Sequence, residues 1–114
     1  MMGGYVLSPR AQSDLDEIWD YTAKRWGLDQ AETYTRDIWQ RIEKVAARPA
    51  IGQECSDIRA GYWKIPCGSH FLFYRLTDEG IDVVRILHER MDFERHIWAN
   101  GLGQWAGQRV GLLG

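Results

Sequence analysis

Residues 62–87 read YWKIPCGSHFLFYRLTDEGIDVVRIL. Three β-prone runs stand in this stretch: Tyr62-Trp63-Lys64-Ile65, Phe71 to Leu76, and Ile81 to Leu87. Pro66-Cys67-Gly68-Ser69 and Thr77-Asp78-Glu79-Gly80 supply the turns between them, since glycine and proline punctuate extended chain where it must reverse. Two successive hairpins make an antiparallel meander. A meander alone leaves its apolar face in water, so another layer must cover it.

The cover lies upstream, where the apolar period lengthens to that of a helix. Ser8-Pro9 reads as a helix start, with Ser8 as N-cap and Pro9 at the first helical position, where a missing N–H costs nothing. Ala11, Leu15, Ile18, Trp19 and Trp26 follow one stripe, which places both tryptophans in the core. Gly27 is a natural stop. Asp29 and Glu32 stand at capping-box spacing for a second helix. Its stripe is Ala31, Tyr34, Ile38, Ile42, Val45 and Ala46, and Arg48-Pro49 ends it. So short a connection makes the two helices an antiparallel hairpin. Trp39 lies off the stripe; it either closes the flank of the core or faces a partner.

With Tyr5-Val6-Leu7 as a short first strand, the expected fold is α+β. An antiparallel helical hairpin packs on a mainly antiparallel four-stranded sheet, in the order β-α-α-β-β-β. A short helix is expected from Met91 to Ala99. The last fifteen residues hold five glycines and read as a tail. The expected division is therefore a folded domain over 1–98 and a tail over 99–114.

The chain has 114 residues, which suits one domain, and 14 Lys+Arg against 16 Asp+Glu give a net charge of −2. Affinity for phosphate-rich surfaces comes from clustered cations, and the lysines are only Lys24, Lys44 and Lys64. Direct nucleic-acid binding is disfavoured. Met1 to Leu7 has no basic or long apolar segment that would target or span a membrane. Two cysteines, Cys55 and Cys67, do not make a disulfide framework. A cytoplasmic protein with reduced thiols is expected. Neither cysteine has a partner at metal-ligand spacing, and His70, His88 and His96 are scattered, so no metal and no cofactor are expected.

Several pieces also resemble a known family. Tyr5-Val6-Leu7-Ser8-Pro9-Arg10-Ala11, Asp14 to Trp19, Trp26-Gly27 with Gln30-Ala31 and Tyr34, Gly68-Ser69-His70, Phe73-Tyr74-Arg75, and Arg85-Ile86-Leu87-His88-Glu89-Arg90-Met91-Asp92 all contribute. In that order they resemble ParE-type toxins of the RelE/ParE superfamily over residues 5 to about 98. The resemblance implies a toxin of a type II toxin–antitoxin system. Such a toxin is held inactive by a cognate antitoxin in a hetero-oligomer, often two toxins with two antitoxins.

The superfamily hosts two chemistries, so fold alone does not decide the activity. One branch resembles ribosome-dependent mRNA endoribonucleases; the other poisons DNA gyrase without being an enzyme. A nuclease needs a general base, an acid and cations around the scissile phosphate. The candidates are His88, Arg85 and Arg90, with Arg75 and Tyr74 beside them. Against a nuclease stand the −2 charge and His70-Phe71-Leu72, where the nuclease branch tends to place an arginine. His88 reads more readily as a strand-end residue anchoring a turn, and Arg85 as the partner of a helix carboxylate. Arg90 and Asp92 could pair with Glu89 and Arg95, or form a target-binding surface with Met91 and Trp98. Trp63 is expected to pack under the hairpin. Leftover aromatics mark protein partners, and Tyr34 with Trp39 is the expected antitoxin contact. The remaining alternative is an inactive relative that only binds partners.

Overall fold

A computed structural model describes residues 3–91 together with Ile97. The expected helix over 91–99 and the tail over 99–114 therefore fall essentially outside the described residues, as do Asp92, Arg95, Trp98 and Trp105. The chain runs β1 (Gly4–Leu7), α1 (Pro9–Trp26), α2 (Leu28–Ala47), a 3₁₀ turn (Pro49–Ile51), β2 (Gln53–Glu54), β3 (Tyr62–Cys67), β4 (His70–Thr77) and β5 (Gly80–His88).

Ser8 caps α1 as its type predicts: its hydroxyl oxygen accepts from the Ala11 N–H at 3.0 Å. Ala11, Leu15, Ile18 and Thr22 are the buried stripe. Trp19 and Trp26 are not core. They are 37% and 66% exposed, because at about 100° per residue Trp19 lies a quarter-turn beyond Ile18. Trp26 ends the helix at the hairpin tip, beneath the Arg25 guanidinium, 5.4 Å from its ring.

Gly27, at φ +102°, serves both helices. Its N–H donates to the Ala23 carbonyl and its own carbonyl accepts from the Ala31 N–H. The capping box at Asp29 and Glu32 does not form. With a one-residue connection, Asp29 is already inside the helix, which has no side-chain cap, and Glu32 pairs instead with Arg36 at 2.9 Å. Along α2, Ala31, Ile38, Ile42, Val45 and Ala46 are buried. Trp39 is half-buried against the core, its ring 6.1 Å from that of Tyr5. The ring closes the flank of the core on one side and stays partly in water on the other.

The strands form one sheet in the order β1-β5-β4-β3-β2. β1 runs parallel to β5 and the other neighbours are antiparallel. The fifth strand is β2, two exposed residues opposite Lys64 and Trp63, too short to leave an alternation in the sequence. The first turn is tighter than expected: Pro66 and Cys67 are in β3, and Gly68 (φ +62°) with Ser69 makes the reversal. The helices cover one sheet face, where Ile65, Leu72, Tyr74, Ile81, Val83 and Ile86 meet the helical stripes. Trp63 packs at the edge of that layer, as expected. A second cluster of Cys55, Tyr62, Phe73, Val84, Leu87 and Ile97 lies apart from it. The two cysteines are free and belong to different clusters. Among the described residues no helix is long and apolar enough to cross a membrane.

Candidate functional site

β1 pairs with β5 only as far as Leu7 and Val83. Beyond that point β5 would present unpaired backbone groups, a costly state if buried. Ser8, the cap of α1, and Asp14 within the helix supply the partners. The Ser8 N–H donates to the Val83 carbonyl at 2.9 Å, and the Ser8 hydroxyl donates to the Val84 carbonyl at 2.7 Å. Asp14 Oδ2 accepts from the Ile86 N–H at 2.9 Å. The same carboxylate takes Arg85 bidentately, Nε to Oδ2 at 2.8 Å and Nη2 to Oδ1 at 3.0 Å. Only 3% of the Arg85 side chain and 9% of Asp14 are exposed. Arg85 is thus the partner of a helix carboxylate, not a cation presented to a phosphate.

Next to this staple an open groove of about 350 Å³ runs between α1 and the ends of β4 and β5. Ile18, Tyr21 and Thr22 line one wall and His70, Ile86, His88 and Met91 the other, with Asp14 and Glu17 at the acidic margin. Tyr21 is 65% exposed and Met91 44%, so apolar surface opens to water at the mouth.

Two imidazoles lie together in the β4–β5 wall. His70 and His88 are cross-strand partners, edge to face with centroids 5.2 Å apart. His88 Nδ1 accepts from the Arg90 N–H at 3.1 Å, which is the turn-anchoring role open to it from sequence. His70 Nδ1 lies 2.8 Å from the Tyr34 hydroxyl, and that hydroxyl accepts from the Ser69 N–H at 2.9 Å. The Tyr34 hydroxyl also lies 3.4 Å from the Cys67 carbonyl, and the His70 tautomer sets which of the two acceptors takes its proton. Gly68 is fixed by the same contact, since a Cβ there would stand 2.6 Å from the Tyr34 hydroxyl.

Burial, then the facing His88, pushes His70 down to about 4. The ring is neutral at neutral pH. A base whose folded pKa is depressed contributes stability above its unfolded value near 6.5, lost as pH falls towards 4. We expect acid to remove on the order of 2–3 kcal/mol through this group. Tm measured from pH 7 to pH 4 should fall, and the fall should be shallower in His70→Gln; parallel profiles would refute the assignment.

The remaining sequence candidates scatter. Tyr74 is buried, its hydroxyl donating to the Pro49 carbonyl at 2.7 Å, and burial raises its pKa. Arg75 pairs with Tyr62 and Asp82, five positions along β4 from His70, about 17 Å at strand rise. Of the nuclease candidates only His88 and exposed Arg90 adjoin the groove. Of the target-binding set, Met91 is at its mouth and Arg90 beside it. Tyr34 and Trp39 are not brought together: Tyr34 sits on the β3–β4 turn and Trp39 on Tyr5. Sequence reading missed His70, Asp14 and Tyr21 as site residues.

A helical hairpin over a mixed sheet, bearing an apolar groove, defines a small protein of the RelE/ParE fold. The same fold is found in a chain of the chromosomal ParDE TA system from P. aeruginosa, with TM-score 0.67 and 19% identity over 76% of this chain and 96% of that one. It is also found in the YoeB-YefM complex from Staphylococcus aureus, with TM-score 0.52 and 16% identity over 75% of this chain and 94% of that one. The family described as ParE toxin of type II toxin-antitoxin system, parDE, matches residues 5–93. The chain belongs to this ParE toxin family. Toxin ParE1 of Mycobacterium tuberculosis is 56% identical over 98 residues, 85% of this chain and 100% of that protein. Toxin ParE1 of Caulobacter vibrioides is 42% identical over 96 residues, 84% and 99% of the two chains. Toxin ParE of Escherichia coli is 34% identical over 92 residues, 80% and 89%.

Proposed function

We propose that this toxin acts by binding DNA gyrase, not by catalysis, and that a cognate antitoxin neutralises it in the cytoplasm. The observation that carries the reading is the buried Asp14–Arg85 pair. It withdraws Arg85 from the groove, so that of the candidate cations only Arg90 is left beside His88. The −2 net charge supports the same reading, since a ribosome-seated nuclease meets dense phosphate. The toxin domain is 1–98, with 99–114 as an appended tail. Arg90, Met91, Asp92 and Trp98 form the target-facing segment, entered from the groove at Met91. Tyr34 and Trp39 serve the antitoxin, in a hetero-oligomer of two toxins and two antitoxins.

Induction of the toxin without antitoxin tests the first part. The expected result is filamentation with DNA-damage signalling; cleavage of ribosome-bound mRNA that disappears in His88→Ala would establish the nuclease reading instead. For the antitoxin face, Trp39→Glu should weaken binding at least tenfold, measured by calorimetry on a variant whose Tm shows that it folds. Unchanged affinity would remove Trp39 from that interface.

A further inference from the structure

Gly68 and Ser69 make the β3–β4 turn, and a side chain of α2 holds it from the side. The Tyr34 hydroxyl accepts from the Ser69 N–H at 2.9 Å and lies 2.8 Å from His70 Nδ1 and 3.4 Å from the Cys67 carbonyl. Burial raises its pKa, so the phenol keeps the proton that one of those two acceptors takes. The ring stands edge-on to His70, with centroids 5.7 Å apart. It also fills the space over Gly68, where an added Cβ would come within 2.7 Å of its Cε1. One side chain thus touches every residue from Cys67 to His70.

The turn in its turn holds the end of β5. The Ser69 carbonyl accepts from the Glu89 N–H at 2.9 Å, and His70 sits opposite His88. From His88 the chain folds back on itself. The Arg90 N–H donates to His88 Nδ1 at 3.1 Å, and the Met91 N–H to the His88 carbonyl at 2.9 Å. β5 ends at His88, so these contacts, and not a strand ladder, fix where exposed Arg90 and Met91 stand. A bonded path therefore runs from Tyr34 through Ser69 and His70 to the backbone that carries them. α2 lends no residue to the groove wall, yet reaches it by this path.

We propose that Tyr34 is a positioning residue for the target-facing segment: its hydroxyl sets the β3–β4 turn and, through Ser69 and His70, the placement of Arg90 and Met91 at the mouth of the groove. The inference rests on the target-facing reading of Arg90 and Met91 given above. The role belongs to the hydroxyl and is separate from the antitoxin contact assigned to Tyr34.

Tyr34→Phe tests it, since it removes the hydroxyl and keeps the ring over Gly68. Val45→Ala, at a fully buried position on the same helix, is the control for lost stability alone. In Tyr34→Phe the Glu89 and Met91 amides should exchange about three- to tenfold faster relative to the Leu72 amide in mid-sheet, the change to which one lost hydrogen bond converts. In Val45→Ala that ratio should keep its parent value. A parent ratio in Tyr34→Phe, or an equal rise in Val45→Ala, overturns the proposal. The toxin dose that traps half of the gyrase on DNA should likewise rise about three- to tenfold in Tyr34→Phe. Equal potency of Tyr34→Phe and the parent chain overturns the positioning role and leaves the gyrase reading intact. A parent chain that traps no gyrase removes the gyrase reading instead, and the exchange ratio then decides the positioning role by itself.

Discussion

Asp14→Ala is expected to cost about 3–5 kcal/mol, the range found when one partner of a buried ion pair is removed. The loss is large because one carboxylate does three jobs. It accepts two bonds from Arg85 and a third from the Ile86 backbone. Removing it strands a charge that is 3% exposed, whose Nη1 already lacks a hydrogen-bond partner. Adding Arg85→Met should recover most of the loss, since an apolar pair needs no charge compensation. Denaturant unfolding of the three chains measures both effects. A single-variant loss under about 1 kcal/mol would mean that the staple is not what joins α1 to β5.

Gly80→Ala is expected to be of similar size, about 3 kcal/mol, for a steric reason. Gly80 sits at φ +152° directly opposite Gly4, and an added Cβ would collide with the Gly4 carbonyl. Two glycines face each other because the β1 and β5 backbones approach too closely there for a side chain. The damage should begin at β1, with Tyr5 to Leu7 amides losing protection from hydrogen exchange. It should then reach Trp39, which leans on Tyr5. A variant with native Tm and intact β1 protection would show that the ladder can give way at this point.

The element order was readable because local chemistry and tertiary need agree there. Ser8-Pro9 signals a helix start whatever surrounds it, and Gly68 signals a reversal. Elsewhere geometry intervened. Trp19 and Trp26 fit the spacing of a buried stripe, yet a two-helix hairpin has a bare flank and a bare tip, and that is where they fall. β2 is two residues, below what any period can reveal. The Asp29 box failed because Gly27 alone turns the chain.

The groove was least legible. Counting back from the β4–β5 turn, an uninterrupted ladder would set His70 opposite Leu87. A bulge between Phe73 and Tyr74 shifts the register so that His70 faces His88. One extra residue, Val84, decides whether two histidines meet, and nothing in its type announces it. The carboxylate partner of Arg85 was foreseeable as a class. Which residue of α1 supplies it depends on where β1 stops.

The most direct test is to incubate purified toxin with gyrase, ATP and supercoiled DNA, and in parallel with translating ribosomes. Trapped gyrase–DNA cleavage complexes, undiminished in the Asp14→Ala/Arg85→Met double variant, with intact mRNA on the ribosomes, are the expected result. Ribosome-dependent mRNA cleavage that vanishes in His88→Ala, with gyrase unaffected, would contradict it.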